Sequence, residues 1–189
     1  MAKPLTPEEK AKATYASCAA CHGAKGEGNP VTKAPALAGQ DSVYLTRQII
    51  NLKEGKRVSP EPLAAGMLPM LTNLKQEDID NLVKYIGTLE KPKLVHTETG
   101  DAAKGQAAYA TCAACHGMNG EGNPALKGPS LTGLPDWYIV SQLKAFKEGK
   151  RGADASKEPE GAMMAPMAQM VVDEQAMKDL AEYIKGLGK

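Results

Sequence analysis

The chain has 189 residues, a formal net charge of +1, 42% hydrophobic side chains and 4% aromatic ones, with a single Phe and a single Trp. The even charge balance excludes the large basic field that holds nucleic acid, and no apolar run reaches the roughly eighteen to twenty residues of a membrane span. Few large rings are available, so two cores of about ninety residues each would be thin without a further apolar body or a covalent staple.

In chain order, Met1-Ala2-Lys3-Pro4 lacks the apolar centre of a signal peptide. Thr6-Pro7-Glu8-Glu9 predicts a helix start, with Thr6 as N-cap, Pro7 as the first helical residue and Glu9 as the capping-box partner. Ala-rich sequence carries this helix to Cys18-Ala-Ala-Cys21-His22, with Tyr15 facing inward. The glycine-rich stretch from Gly23 to Pro30 cannot continue it, and residues 33–39, including Pro35, follow as an irregular extended wall. A second helix is predicted over about 41–54, where Tyr44, Leu45, Gln48, Ile49 and Leu52 recur at helical spacing, and Gly55 ends it. Residues 56–73 read as a loop containing Pro and Met. A last helix, about 76–89, shows one apolar stripe of Ile79, Leu82, Val83, Ile86 and Leu89.

Residues 91–100 are polar, aperiodic and contain a proline near their start, which predicts a linker between units 1–90 and 101–189. Beyond it the pattern repeats ninety-four positions on. Gly26-Glu-Gly-Asn-Pro30 recurs as Gly120-Glu-Gly-Asn-Pro124, Tyr44 and Gln48 as Tyr138 and Gln142, and Glu54-Gly-Lys-Arg57 as Glu148-Gly-Lys-Arg151. Tyr85-Ile86 recurs as Tyr183-Ile184 with an offset of ninety-eight, so the second unit carries four extra residues in its Met-containing region. One duplicated unit explains this economically.

All four cysteines lie in Cys18-Ala-Ala-Cys21-His22 and Cys112-Ala-Ala-Cys115-His116. Cys-x-x-Cys-His is the attachment signature of c-type haem. Residues three apart share a helix face, so both thiols can add to the vinyl groups along one porphyrin edge while the adjacent His reaches the iron. A zinc site closed by all four cysteines, a redox dithiol or a pair of disulfides would also use paired cysteines. None of these explains a His after each pair when the chain has only three. The pattern therefore implies two covalent haems, whose flat apolar bulk would supply what the aromatic content lacks.

The sixth iron ligand comes from what remains. His96, the third histidine, sits in the linker. Methionines occupy matching places before each last helix, in Met67-Leu-Pro-Met70 and Met164-Ala-Pro-Met167. A thioether trans to imidazole favours ferrous iron and leaves no open position for substrate. Met67 and Met164 are the expected pair, each seven residues before an apolar residue at the approach to the last helix (Leu74 and Val171), with Met70 and Met167 in reserve. Core packing is the competing role for any single Met.

Together these motifs, the Pro-x-Leu-x-Gly segments and the Tyr-containing final helices over roughly residues 8–188 resemble the dihaem cytochromes c of the cytochrome c4 family. The resemblance implies an all-α fold of two tandem class I cytochrome c domains, facing each other across a pseudo-twofold axis with the haem propionates near the interface. It implies His22 and His116 as proximal ligands and Met67 and Met164 as distal ones. Pro35 and Pro129 match the proline whose carbonyl accepts the proximal imidazole's other N–H. The longer second Met loop departs from the first and leaves Met163 and Met167 as alternatives to Met164.

The implied function is soluble single-electron transfer between respiratory partners, from a quinol-oxidising complex or dehydrogenase toward a terminal oxidase or reductase. A haem enzyme or enzyme subunit, of dihaem peroxidase or thiosulfate-oxidising type, is the alternative. Haem attachment outside the cytoplasmic membrane implies a periplasmic mature form whose signal has been cleaved or replaced, with at most peripheral membrane contact. To residue 95 the chain has thirteen Lys and Arg against ten Asp and Glu, and beyond it ten against twelve. The functional reading of that asymmetry is that the halves dock different partners.

Overall fold

The computed structural model describes residues 3–188; Met1, Ala2 and Lys189 lie outside them, and with the first two goes the beginning of the Met1–Pro4 start. The described residues are all-α, with no strands beyond two isolated bridges, Asn29 with Ala34 and Asn123 with Gly128. The first unit contains α1 (Pro7–His22), α2 (Ser42–Lys53), α3 (Met67–Thr72) and α4 (Gln76–Ile86). The second contains α5 (Ala102–His116), α6 (Asp136–Lys147), α7 (Pro159–Gln169) and α8 (Glu174–Leu187). In each, the first and second long helices pack on the last.

Helix α1 starts as its sequence predicts. Thr6 N donates to Glu9 Oε2 at 2.7 Å and Glu9 N to Thr6 Oγ1 at 3.2 Å, a capping box that satisfies two otherwise orphaned donors. Its counterpart α5 uses a different device: the Asp101 carboxylate accepts from Ala103 N and Lys104 N, while Asp101 N donates to Asp179 at 2.8 Å.

The structure corrects the expected loop at 56–73. A 3-10 turn, Ala64–Gly66, leads directly into α3, which begins at Met67, and the longer second unit forms α7 in the same place. Pro69 is tolerated because it lies in the first turn of α3, where its missing N–H needs no intrahelical partner. Helix α4 ends at Ile86, short of the expected 89, and Leu89 still packs on the first core. The polar segment 90–100 has no regular structure, but it is laid along the second unit. Trp137 Nε1 donates to Val95 O at 3.1 Å, and the buried Asp136 carboxylate accepts from Thr97 N and Glu98 N at 2.9 and 3.1 Å.

The two cores differ in size. The first is built from Tyr15, Leu45, Ile79, Leu82, Val83 and Ile86. The second holds Tyr109, Trp137, Tyr138 and Phe146 with a larger aliphatic set. Scarcity of rings is therefore a property of the first unit, since the only Trp and the only Phe both lie in the second.

The units meet through polar contacts. Gln40 Nε2 donates to Ser130 O at 2.9 Å, Arg47 Nη2 to Lys127 O at 2.9 Å, and the buried Arg57 Nη2 to Tyr138 Oη at 2.8 Å. Gly39 and its repeat equivalent Gly133 approach backbone to backbone, a Cβ on Gly133 falling 3.1 Å from Gly39 O. Self-contact of equivalent residues is the mark of a twofold axis, here a pseudo-twofold within one chain.

One close approach sets the second unit's packing. A Cβ on Gly105 would lie 2.0 Å from Asp179 O, whereas the equivalent place in α1 holds the buried Ala11. Gly105→Ala should push α5 off α8, lowering stability by about 1–3 kcal/mol as overpacked sites do. Ala11→Gly should cost only about 1 kcal/mol of helix propensity. Thermal melts followed by circular dichroism would rank the two.

Candidate haem-binding sites

Each attachment motif occupies the last turn of its helix, where the small Ala-Ala pair lets Cys and His side chains leave one end without crowding. Gly23 N and Gly117 N close the turn on Ala19 O and Ala113 O, and both glycines then turn the chain at φ 84° and 83°. The following loop is tied back by Tyr15 Oη donating to Gly23 O at 2.8 Å and Tyr109 Oη to Gly117 O at 2.7 Å. Burial pushes both phenols up to about 12, so they remain donors. Each is braced by a second ring, Tyr85 or Tyr183, with centroids 5.4 Å apart.

The loop brings a proline carbonyl to each imidazole. His22 Nδ1 lies 2.8 Å from Pro35 O, and His116 Nδ1 lies 2.9 Å from Pro129 O. A carbonyl only accepts, so Nδ1 carries the proton and Nε2 presents its lone pair, the form that binds iron. Burial lowers both histidine pKa values and outweighs the opposing bond to the proline carbonyl, so burial favours the neutral, ligand-competent ring. Gly28 makes this approach possible: at φ 80°, a Cβ there would fall 2.6 Å from Ala36 N.

Each His faces an apolar cavity. The first, of about 120 Å³, is lined by Cys18, His22, Pro35, Met67, Met70 and Leu82 among others. The second, of about 350 Å³, includes Cys112, Cys115, His116, Pro129, Phe146, Met163, Met164 and Met167. The four cysteines are unpaired and divided between the two units, and burial raises the Cys18 and Cys112 thiols. Among the described residues no three His, Cys, Asp or Glu side chains converge as a metal site.

Within each methionine pair the expected member is the more enclosed. Met67 and Met164 are half-buried, while Met70 and Met167 are 45% and 40% exposed and Met163 is 62% exposed. Met164 also packs against the second core. His96 lines neither cavity and lies beside Asp136, 3.5 Å from its carboxylate.

The residues that close the cavities between the units belong to none of the haem-binding motifs of the sequence. Arg57 lines the first and Arg47 and Arg151 the second, and the Nε–H of each is buried without a hydrogen-bond partner. Arg47 Nε lies 3.9 Å from the Glu160 carboxylate, so Arg57 and Arg151 supply the orphaned donors, one in each cavity wall, and these fit a flat apolar group that ends in carboxylates, as haem does. Recurrence of Arg57 as Arg151 and of Gln48 as Gln142 was the available signal. Arg47 gave none, because its repeat equivalent is Ser141. Tyr44, Gln48, Leu134 and Tyr138 line both cavities, so the two sites share a wall.

A Cys-x-x-Cys-His helix end, a carbonyl-oriented imidazole and a Met-bearing apolar cavity, all present twice, define a protein with two c-type haem units. The Cytochrome c family model matches residues 8–90 and 102–188. Cytochrome c4 of Pseudomonas aeruginosa is 31% identical over 93% of this chain and 86% of its own length. A thiosulfate dehydrogenase electron acceptor of Stutzerimonas stutzeri is 28% identical over 92% of this chain and 80% of its own. The crystal structure of reduced recombinant cytochrome c4 from Pseudomonas stutzeri superposes with a TM-score of 0.72 and 26% identity, over 95% and 97% of the two chains. The chain belongs to the cytochrome c4 family, as a dihaem electron-transfer cytochrome with two covalent haem c groups.

Haem supplies reversible one-electron exchange at iron. The chain fixes each imidazole through a proline carbonyl, its apolar walls would shield a bound haem from water, and the buried guanidinium groups of Arg57 and Arg151 would face the carboxylates of that haem. Replacing Cys112 and Cys115 by Ser should give half the normal haem per chain. Residues 101–189 should become protease-sensitive, though less so than the smaller-cored first unit does after Cys18→Ser with Cys21→Ser. Limited proteolysis with haem staining measures both.

Proposed function

We propose that the protein carries single electrons between periplasmic redox partners, each iron held by His and Met. His22 with Met67 and His116 with Met164 form the axial pairs, and Pro35 and Pro129 orient the imidazoles. The observation that carries this is the enclosure of one thioether in each cavity alongside a preset imidazole. Filled coordination on both sides suits outer-sphere transfer, since neither oxidation state requires ligand exchange.

Residues 1–90 and 101–189 act as the two haem-holding units, with 91–100 as the connection. Their unequal charge supports docking of a donor on one and an acceptor on the other, through weak, steered contacts. Similarity to a thiosulfate dehydrogenase electron acceptor supports a sulfur-oxidising dehydrogenase as one donor, with a terminal oxidase or reductase downstream. On this reading the protein works beside such an enzyme as its carrier. No helix among the described residues is long and apolar enough to cross a membrane.

Met67→His or Met164→His should lower the reduction potential of that haem alone, because imidazole stabilises ferric iron more than a thioether does. The same change at Met70 or Met167 should leave both potentials nearly in place. Redox titration of each variant checks the register, and a response from the outer pair instead would move it by three residues in both units. Purified thiosulfate dehydrogenase with thiosulfate should reduce the haems rapidly. Failure with that donor, but reduction by a quinol-oxidising complex, would reassign the donor.

A further inference from the structure

The units are near-copies, so a charged group present in one cavity wall and missing from the other separates two otherwise matched redox sites. Arg57 and Arg151 are repeat equivalents, 6% and 5% exposed, and each Nη1 donates to the equivalent glutamine, Gln48 Oε1 at 2.6 Å and Gln142 Oε1 at 2.9 Å. They differ at Nη2. Arg57 meets only neutral acceptors there, Tyr138 Oη at 2.8 Å and Gln142 Oε1 at 3.2 Å. Arg151 Nη2 is ion-paired with the carboxylate of Glu158, which is 3% exposed and lines the second cavity.

Glu158 belongs to the Met-containing region that is four residues longer in the second unit. Its other oxygen accepts from Gly152 N at 3.2 Å, and Gly161 leaves the space it occupies, since a Cβ there would lie 2.6 Å from Glu158 Cδ. No Asp or Glu is among the described residues that line the first cavity. The other carboxylate of the second, Glu160, is engaged outward by Lys127 at 2.9 Å and lies 3.9 Å from Arg47 Nε. Glu158 is thus the deeply buried anion of the pair of sites.

We propose that Glu158 tunes the second haem, holding its reduction potential below the value that an uncompensated Arg151 would give. A buried carboxylate beside the cavity stabilises ferric over ferrous iron, because oxidation adds a positive charge and little solvent screens the interaction. The inference rests on a haem in the second cavity and is independent of which methionine binds the iron. Glu158 acts through charge and through Arg151, as a positioning and tuning residue.

The test is a spectroelectrochemical titration of the two-haem protein, with the second haem identified by its proton contacts to Phe146, the only Phe of the chain. Glu158→Gln keeps the size and removes the charge. It should raise the second midpoint and shift electron partition toward that haem by roughly tenfold, as one charge at cavity distance does at an effective dielectric near 20. Glu158→Asp should stay close to the unaltered protein, and Arg151→Gln should move the second midpoint the other way. Loosening the cavity lets in water, which favours ferric iron and lowers the potential, so a purely structural role would give the opposite sign for Glu158→Gln. A second midpoint that falls or stays put in Glu158→Gln overturns the proposal, as does an equal rise at both haems. If that variant fails to retain both haems, Glu158→Gln combined with Arg151→Gln decides: its second midpoint should lie above that of Arg151→Gln alone, and an equal or lower midpoint overturns the proposal.

Discussion

The bond between the proximal imidazole and a proline carbonyl is the contact on which each unit depends. It spans thirteen residues, from His22 to Pro35 and from His116 to Pro129, and requires the whole intervening loop to be in place. Glycines at positive φ let the loop fold flat against the helix end, and the tyrosine bond to Gly23 O or Gly117 O anchors its start. A buried imidazole N–H left without an acceptor would cost about 1–3 kcal/mol, more than the net gain of one ordinary hydrogen bond. The same contact fixes the tautomer, so folding of the loop and competence of the ligand are one event.

The junction between units has a different physical character. Hydrogen bonds donated by Gln40, Arg47 and Arg57 cross it, and Arg57 reaches Tyr138 and Gln142. Burying a guanidinium is costly unless every donor is satisfied, yet Nε of Arg57 and of Arg151 has no protein partner. An acid-bearing haem in each cavity would resolve that conflict. The interface therefore serves the two sites as well as the contact between units, and its shared wall of Tyr44, Gln48 and Tyr138 leaves little protein between them.

Duplication followed by divergence is visible residue by residue. Gly105 stands where the first unit has Ala11, letting α5 sit closer to α8 than a methyl would allow. The Thr6 capping box has its counterpart in the Asp101 cap. The second unit gathered the aromatic core, the connecting segment and the longer α7 region with Glu158, so it is the larger and more heavily buttressed half.

Sequence by itself determined the repeat, the haem motifs, the all-α class and most helix positions, because these are local: capping residues, 3.6-residue periodicity and a five-residue attachment pattern need no knowledge of distant contacts. It also singled out Met67 and Met164, the more enclosed thioethers of each cavity. It misjudged the segment before α4, reading α3 as loop, because six residues with a proline carry too short a pattern to outweigh the proline. It treated residues 91–100 only as a linker, since their partners Asp136 and Trp137 lie about forty positions away. The three arginines were legible at most as a recurrence. Only the tertiary structure brought Arg47 and Arg57 of one half against the other and paired Arg151 with Glu158. Whether a cation is solvated, satisfied or orphaned depends on what packs over it, and that is decided when the two units close on each other.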